Sequence, residues 1–173
     1  MSWEIDAAHS SATFSVRHAG IATVRGEFTV LSGTLEIDDA NLANSSVVAQ
    51  VETASINTRD ANRDAHLKSP DFFDAATYPV LTFTSTKVEG HGGHYHVTGI
   101  LDMHGVQKEV TFEAEYAGQA KDAYGNLRAG LEAKTTINRK DFGLNWNAVL
   151  ETGGLLVSEN VKIEIDLSAV NKG

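Results

Sequence analysis

Cysteine is absent from this 173-residue chain, so neither a disulfide framework nor a thiolate metal site is available to it. Basic residues are scarce: Lys and Arg number 14 against 23 Asp and Glu, and nowhere do they form a run. The resulting net charge of −9 argues against a nucleic-acid surface and against an anionic membrane face. No apolar window approaches the roughly 20 residues of a membrane span. Internal repeats, linkers and low-complexity tracts are missing, as are a Gly-rich phosphate loop, a P-loop and a nucleophile elbow. The N-terminus, MSWEIDAAHS, has neither the basic nor the apolar region of a secretory signal. A cytoplasmic location is the expectation, with the periplasm the alternative if a signal was removed. The length fits one domain over residues 1–173, long enough to bury a core.

What is present, along most of the chain, is period-2 alternation of apolar and polar residues. Ala12, Phe14 and Val16 are apolar against Thr13, Ser15 and Arg17. Val24, Phe28 and Val30 oppose Arg25, Glu27 and Thr29, with Gly26 on the apolar side. Val47, Ala49 and Val51 form a third run, then Leu81 and Phe83, then Val97, Gly99, Leu101 and Met103. Val110, Phe112, Ala114 and Tyr116 follow, then Leu127 to Ile137, then Val161, Ile163, Ile165 and Leu167. The separators are turn-like: Leu31-Ser32-Gly33, residues 89–93, His104-Gly105, residues 123–126 and Gly153-Gly154. Short gaps imply antiparallel hairpins, because parallel pairs need long crossovers. About eight strands with one dry face each must close on themselves or split into a sandwich. The fold class expected is all-β: a single eight-stranded antiparallel β-barrel.

One stretch breaks the pattern. In TRDANRDAHLKSPDFFDAATYP, Thr58 is placed to cap a helix and Ser69-Pro70 to stop it. A short helical lid is expected at about 58–70, with Leu67, Phe72 and Phe73 sealing one barrel end. A second helical turn is expected near 139–144. The inward face also holds many small residues: Ala12, Gly26, Ala49, Gly99, Ala114, Ala129 and Ala133. An eight-stranded barrel is just wide enough to be filled by side chains or to hold one ligand. Either the small residues open an apolar cavity, or large neighbours fill the space they leave. On the residues alone both readings stand.

Chemistry is thinly represented. His91, His94 and His96 resemble a metal cluster by spacing, but they fall on the solvent parity or in a Gly-rich turn, with no interleaved ligand. A solvated hairpin tip is the better reading, and no metal is expected. His9 beside Ser10 points to the opposite face, as neighbours on a strand do. His18 continues the dry parity of Phe14 and Val16, which suits either a ligand head group or a backbone hydrogen bond at the rim. Asp60 and Asp64 share a helix face, as do Arg59 and Arg63, and read as a solvated surface. An enzyme acting through His18, His66 or the lid carboxylates is the weaker alternative, and a solidly packed interaction module is the third.

With these residues in view, the chain resembles the YceI-like family of lipocalin-like, polyisoprenoid-binding proteins. The resemblance rests on WEIDAAHSSATFSVRHAGIATVRGEF (3–28), SINTRDANRDAHLKSPDFFDAATYPVLTF (55–83), GILDMHGVQKEVTF (99–112) and INRKDFGLNW (137–146). It implies an eight-stranded lipocalin-like barrel whose elongated interior takes an isoprenoid or similar long-chain lipid. It also implies a frequent homodimer, no cofactor and no established catalytic residue. The tube is expected to be lined by Phe14, Val16, Phe28, Leu81, Phe83, Leu101, Met103, Phe112 and Leu131. Phe72, Phe73, Phe142 and Trp146 are placed at its ends, with His18 near a head group. The function implied is transport, storage or sequestration of a polyprenyl or isoprenoid-quinone lipid.

Overall fold

The computed structural model describes residues 2–148 and 156–172. Eleven strand segments follow in order: β1 (Ser2–Ile5), β2 (Ser11–His18), β3 (Ala22–Phe28), β4 (Leu31–Glu36), β5 (Ser46–Glu52) and β6 (Ile56–Asn57) come first. After a helix α1 (Ala61–Lys68) come β7 (Val80–His91), β8 (His94–Met103), β9 (Val106–Lys121), β10 (Leu127–Asn138) and β11 (Asn160–Asn171). Gly153-Gly154, read above as a turn, lies outside the described residues.

Three of the strands are long strands broken by a kink. β1 runs into β2 through a turn at Ala7–His9 capped by Asp6, and both pair with β11. β3 runs into β4, and these pair with β2 and β1 in turn. β5 runs into β6 through the turn Thr53–Ser55. Counted this way the architecture is an eight-stranded antiparallel meander, closed where β11 meets β1. Closure removes the free edges that an open sheet would expose.

The kinks correct the strand reading in two places. Leu31-Ser32-Gly33 is not a turn but the start of β4, paired with Val51, Gln50 and Ala49. The bend falls just before it, at Thr29-Val30, and Val30 consequently leaves the inward parity and is 43% exposed. Ser2–Ile5 and Ile56–Asn57 are short strands that alternation over so few residues does not reveal. Along β7 the parity switches at a bulge: Ser85 pairs with Gly99 but Lys87 with Thr98. The extra residue, Thr86, lets Phe83 and Val88 face the same side. At the β7–β8 hairpin Gly92 and Gly93 both take positive φ (65° and 87°), as a two-residue turn demands. His91, His94 and His96 are exposed there, and among the described residues no three His, Asp or Glu side chains could hold a metal.

The lid has a structural cause. β6 pairs only with β3, and β7 pairs with β5, so the wall is interrupted between β6 and β7. Residues 58–79 lie across that interruption. Two buried threonines hold the segment at its ends. Thr53 donates its amide to the Pro79 carbonyl (2.9 Å) and its hydroxyl to the Tyr78 carbonyl (2.7 Å). Thr58 is 3% exposed and does not cap the helix. That role belongs to Asp60, whose Oδ1 accepts from the amides of Asn62 and Arg63.

Candidate functional site

Inside the barrel is a hollow of about 590 Å³. Its existence follows from an unusual burial pattern. Phe14, Val16, Phe28, Phe83, Leu101, Leu131, Ala133, Val161, Ile163 and Ile165 all point inward, yet each is only partly buried. Part of each side chain borders open space inside the barrel. The barrel is filled elsewhere: Trp3, Ile5, Ala129 and Ala169 are buried but stand off the hollow.

Apart from Ala129, the small inward residues divide into two groups. Ala12, Ala49, Ala114 and Ala133 border the hollow and widen it. Gly26 and Gly99 do not, because each is the seat of an aromatic ring from the adjoining strand. A methyl on Gly26 would run into the Phe14 ring, and one on Gly99 would stand 2.7 Å from Phe83 Cζ. Flattened against the wall, these rings keep the centre of the tube clear. Phe14 then meets Phe28 at 5.6 Å, and Phe83 meets Phe112 at 5.1 Å, edge-on.

Thirteen of the fourteen side chains expected at the tube border it: Phe14, Val16, His18, Phe28, Phe72, Phe73, Leu81, Phe83, Leu101, Met103, Phe112, Leu131 and Trp146. Phe142 does not. It is 2% exposed and packed in the solid core, with its carbonyl 3.0 Å from His104 Nδ1. Its turn, Arg139–Phe142, ends on Gly143 in the left-handed region, and the ring joins the buried core cluster instead of the tube lining.

Three elements form the rim at the lid end: the β2–β3 hairpin with Val16, His18 and Val24, helix α1 with Asn62, Arg63 and His66, and Trp146 with Leu156 and Val157. His66 stands edge-on to Trp146 at 4.7 Å and to Phe72 at 5.1 Å, and its Nε2 lies 2.9 Å from Asp71 Oδ2. The His18 backbone bridges to Val157, and its ring has no hydrogen-bond partner among the described residues. Of the lid charges expected to be solvated, Arg59 is exposed, whereas Asp64 and Arg63 are engaged. One oxygen of Asp64 accepts from both the amide (2.8 Å) and the hydroxyl (2.6 Å) of Thr58. Arg63 donates Nε to that hydroxyl (2.8 Å) and Nη2 to the Thr58 carbonyl (2.7 Å).

Arg139 organises the other side of the rim. At 3% exposure, its guanidinium donates to the carbonyls of Ser158, Leu144, Trp146 and Val157 at 2.6–3.3 Å. Burial pulls its pKa below the usual arginine value, against the opposing charge of Glu159. A buried cation surrounded by carbonyls holds Trp146 and Val157 where they border the hollow. At the far end, Tyr116 borders the hollow, and burial pushes its phenol pKa up.

A family model described as the YceI-like domain matches residues 3–169. The chain belongs to the YceI-like family. The YceI protein of Escherichia coli O157:H7 is 41% identical over 136 residues, spanning 79% of this chain and 71% of that protein. The crystal structure of Burkholderia cenocepacia BcnA superposes with a TM-score of 0.82 at 25% identity, covering 95% of this chain and 98% of that one. A polyisoprenoid-binding domain from Saccharophagus degradans shares the fold, with a TM-score of 0.70 at 21% identity and 97% coverage of both chains.

Within this YceI-like barrel, sequence reasoning missed Thr53, Thr58 and Arg139 as organisers of the rim. Thr58 was visible only as a helix cap, and nothing in its neighbourhood marks it as buried. Arg139 sits beside Lys140 and Asp141 in a polar run, where arginine is ordinarily solvated. The one available signal was phase: Arg139 follows Ile137 with inward parity.

Proposed function

We propose that this YceI-like protein binds a long-chain isoprenoid lipid, of the polyprenyl or isoprenoid-quinone type, in its tube and serves in transport, storage or sequestration. The observation that carries this reading is the hollow itself: about 590 Å³ bounded by inward apolar side chains left half-buried. Apolar area removed from water contributes about 25 cal/mol per Å², so a flexible hydrocarbon chain gains affinity without many polar contacts. A volume in the usual range for small-molecule sites supports one guest. The Saccharophagus degradans domain described as polyisoprenoid-binding has the same fold, which is consistent with the proposal. The binding role of the thirteen lining residues belongs to the same proposal, as does a homodimer, which sedimentation velocity would check. Native mass spectrometry of protein purified without detergent tests the main reading. A mass excess of several hundred daltons, lost on denaturation and recovered as lipid by organic extraction, is the expected result. Clean apoprotein from several expression hosts would sink it.

A further inference from the structure

The rim at the lid end carries an exposed apolar tip and a collar of cations. In the β2–β3 hairpin, Ala19 and Gly20 take positive φ (54° and 73°) and turn Ile21 outward, where it is 85% exposed. The strands leading to this tip supply Val16, His18 and Val24 to the hollow, and Ala19 donates its amide to the carbonyl of Leu156 on the rim. Ile21 therefore stands on the lip of the tube.

Charge changes sign along the outer face of that wall. On the first rungs below the lip, Arg17 pairs with Thr23, and Ser15 lies between Arg25 and Lys162. One rung further, Thr13 lies between Glu27 and Glu164, and beyond that Ser11 meets Asp166. Arg59, exposed and held at φ 65°, adds a fourth cation just after β6. Among the described residues Arg17 donates only to neutral oxygens, those of Gly20 and Thr23. None of these four cations forms an ion pair with a described residue. The carboxylates near the rim are mostly engaged: Asp60 caps the helix, Asp64 holds Thr58, Asp71 lies on His66 and Glu159 on Lys140. On this wall the carboxylates of Glu27, Glu164 and Asp166 lie further from the lip than the cations, so the lip presents its basic collar first to a negative surface.

We propose that the lid-end rim docks on an anionic lipid bilayer, with Ile21 entering the interface and Arg17, Arg25, Arg59 and Lys162 facing the head groups. This rests on the tube being a lipid site, and it answers a physical difficulty in that reading. An isoprenoid chain crossing open water would expose its apolar area, whereas a rim seated on the bilayer lets the chain pass directly between two apolar phases. Composition argues against an anionic membrane for the molecule as a whole; the distribution of charge reverses that at one end.

The test is flotation of the purified full chain with phosphatidylcholine vesicles, with and without phosphatidylglycerol, while lipid occupancy is read separately by native mass spectrometry. Binding is expected only with phosphatidylglycerol and is expected to weaken with salt. Arg25→Ala should lower it about fivefold, as for one basic residue near an anionic surface. Ile21→Ser should lower it about tenfold through the lost apolar anchor. Tyr124→Ser, which removes the 90%-exposed ring at the opposite end of the barrel, should leave it unchanged. Circular dichroism establishes that each variant is folded. Absent binding, binding indifferent to the rim variants, or equal loss with Tyr124→Ser overturns the docking proposal. A carried lipid without vesicle binding removes the docking alone, and rim-dependent docking by a lipid-free protein removes the tube reading alone.

Discussion

A single carboxylate oxygen of Asp64 holds both the amide and the hydroxyl of Thr58, at 2.8 and 2.6 Å. Through this contact the lid helix is tied to the strand that precedes it, at the point where the barrel wall is interrupted. The pairing sets the position of His66 and Leu67 over the hollow, and so bears on guest exchange as well as on stability.

Replacing Asp64 by Ala leaves the buried Thr58 donors unmet, at a cost of about 1–3 kcal/mol. Urea unfolding should show that loss. Stopped-flow release of a fluorescent lipid should become faster, because the lid loses its tether. Unchanged release with the expected loss of stability would show that guests do not pass beneath the helix.

Gly26→Ala and Ala133→Leu separate filled wall from open tube. At Gly26 the added methyl meets the Phe14 ring and Thr58, so overpacking should destabilise the fold by about 1–3 kcal/mol. At Ala133 the larger side chain enters the hollow, so stability should change little and lipid occupancy should fall. Denaturant midpoints and native mass spectra of the two variants check the contrast; equal destabilisation by both would mean that the space at Ala133 is already filled.

Arg139→Leu removes the donor shared by the carbonyls of Ser158, Leu144, Trp146 and Val157. The carbonyls of Ser158, Leu144 and Trp146 lose this donor, while that of Val157 keeps Asn147 Nδ2 at 2.8 Å, and a loss of about 3 kcal/mol is expected. Trp146 fluorescence in the folded variant should shift to longer wavelength as the rim segment loosens, while Trp3, wholly buried away from the hollow, remains in place. A variant with wild-type stability and spectrum would contradict this account of the rim.

Acid sensitivity should come from the far end. Arg128 donates Nη1 to Asp6 and Nε to Asp122, both at 2.7 Å. Its hydrogen bonds are the main cause lowering each carboxyl from 3.8 to about 2, with His9 assisting at Asp6. A depressed carboxyl contributes stability that is present above its unfolded pKa and is lost as pH falls through the folded one. Stability should therefore hold down to about pH 4 and fall towards pH 2 as both groups protonate. Arg128→Met should flatten that part of the profile, read as urea midpoint against pH. An unaltered slope would assign the acid transition to other carboxylates.

The legible parts of this protein are those where a local rule is repeated. Val110, Phe112, Ala114 and Tyr116 alternate on one unbroken strand, and their facing could be read directly. The same holds for β11 and for most of the lining residues, since inward parity alone puts Phe83, Leu101 and Leu131 on the interior face. The helix after Thr58 was legible because β-branched residues stop and Ser69-Pro70 ends it. Illegible were the kink at Thr29-Val30, the bulge at Thr86 and the burial of Arg139. Each depends on a partner strand or on carbonyls distant in sequence, and none alters composition locally.

Whether the barrel would be hollow lay beyond the sequence for the same reason. Alternation determined that eight dry faces exist and that they must close on one another, because apolar area on that scale cannot remain in water. Only the tertiary structure decided which small residues leave space. Gly26 and Gly99 are taken up by Phe14 and Phe83, while Ala12, Ala49, Ala114 and Ala133 border the tube. That difference is set by cross-strand register and ring orientation, which are properties of strands already paired and not of any one strand's residues.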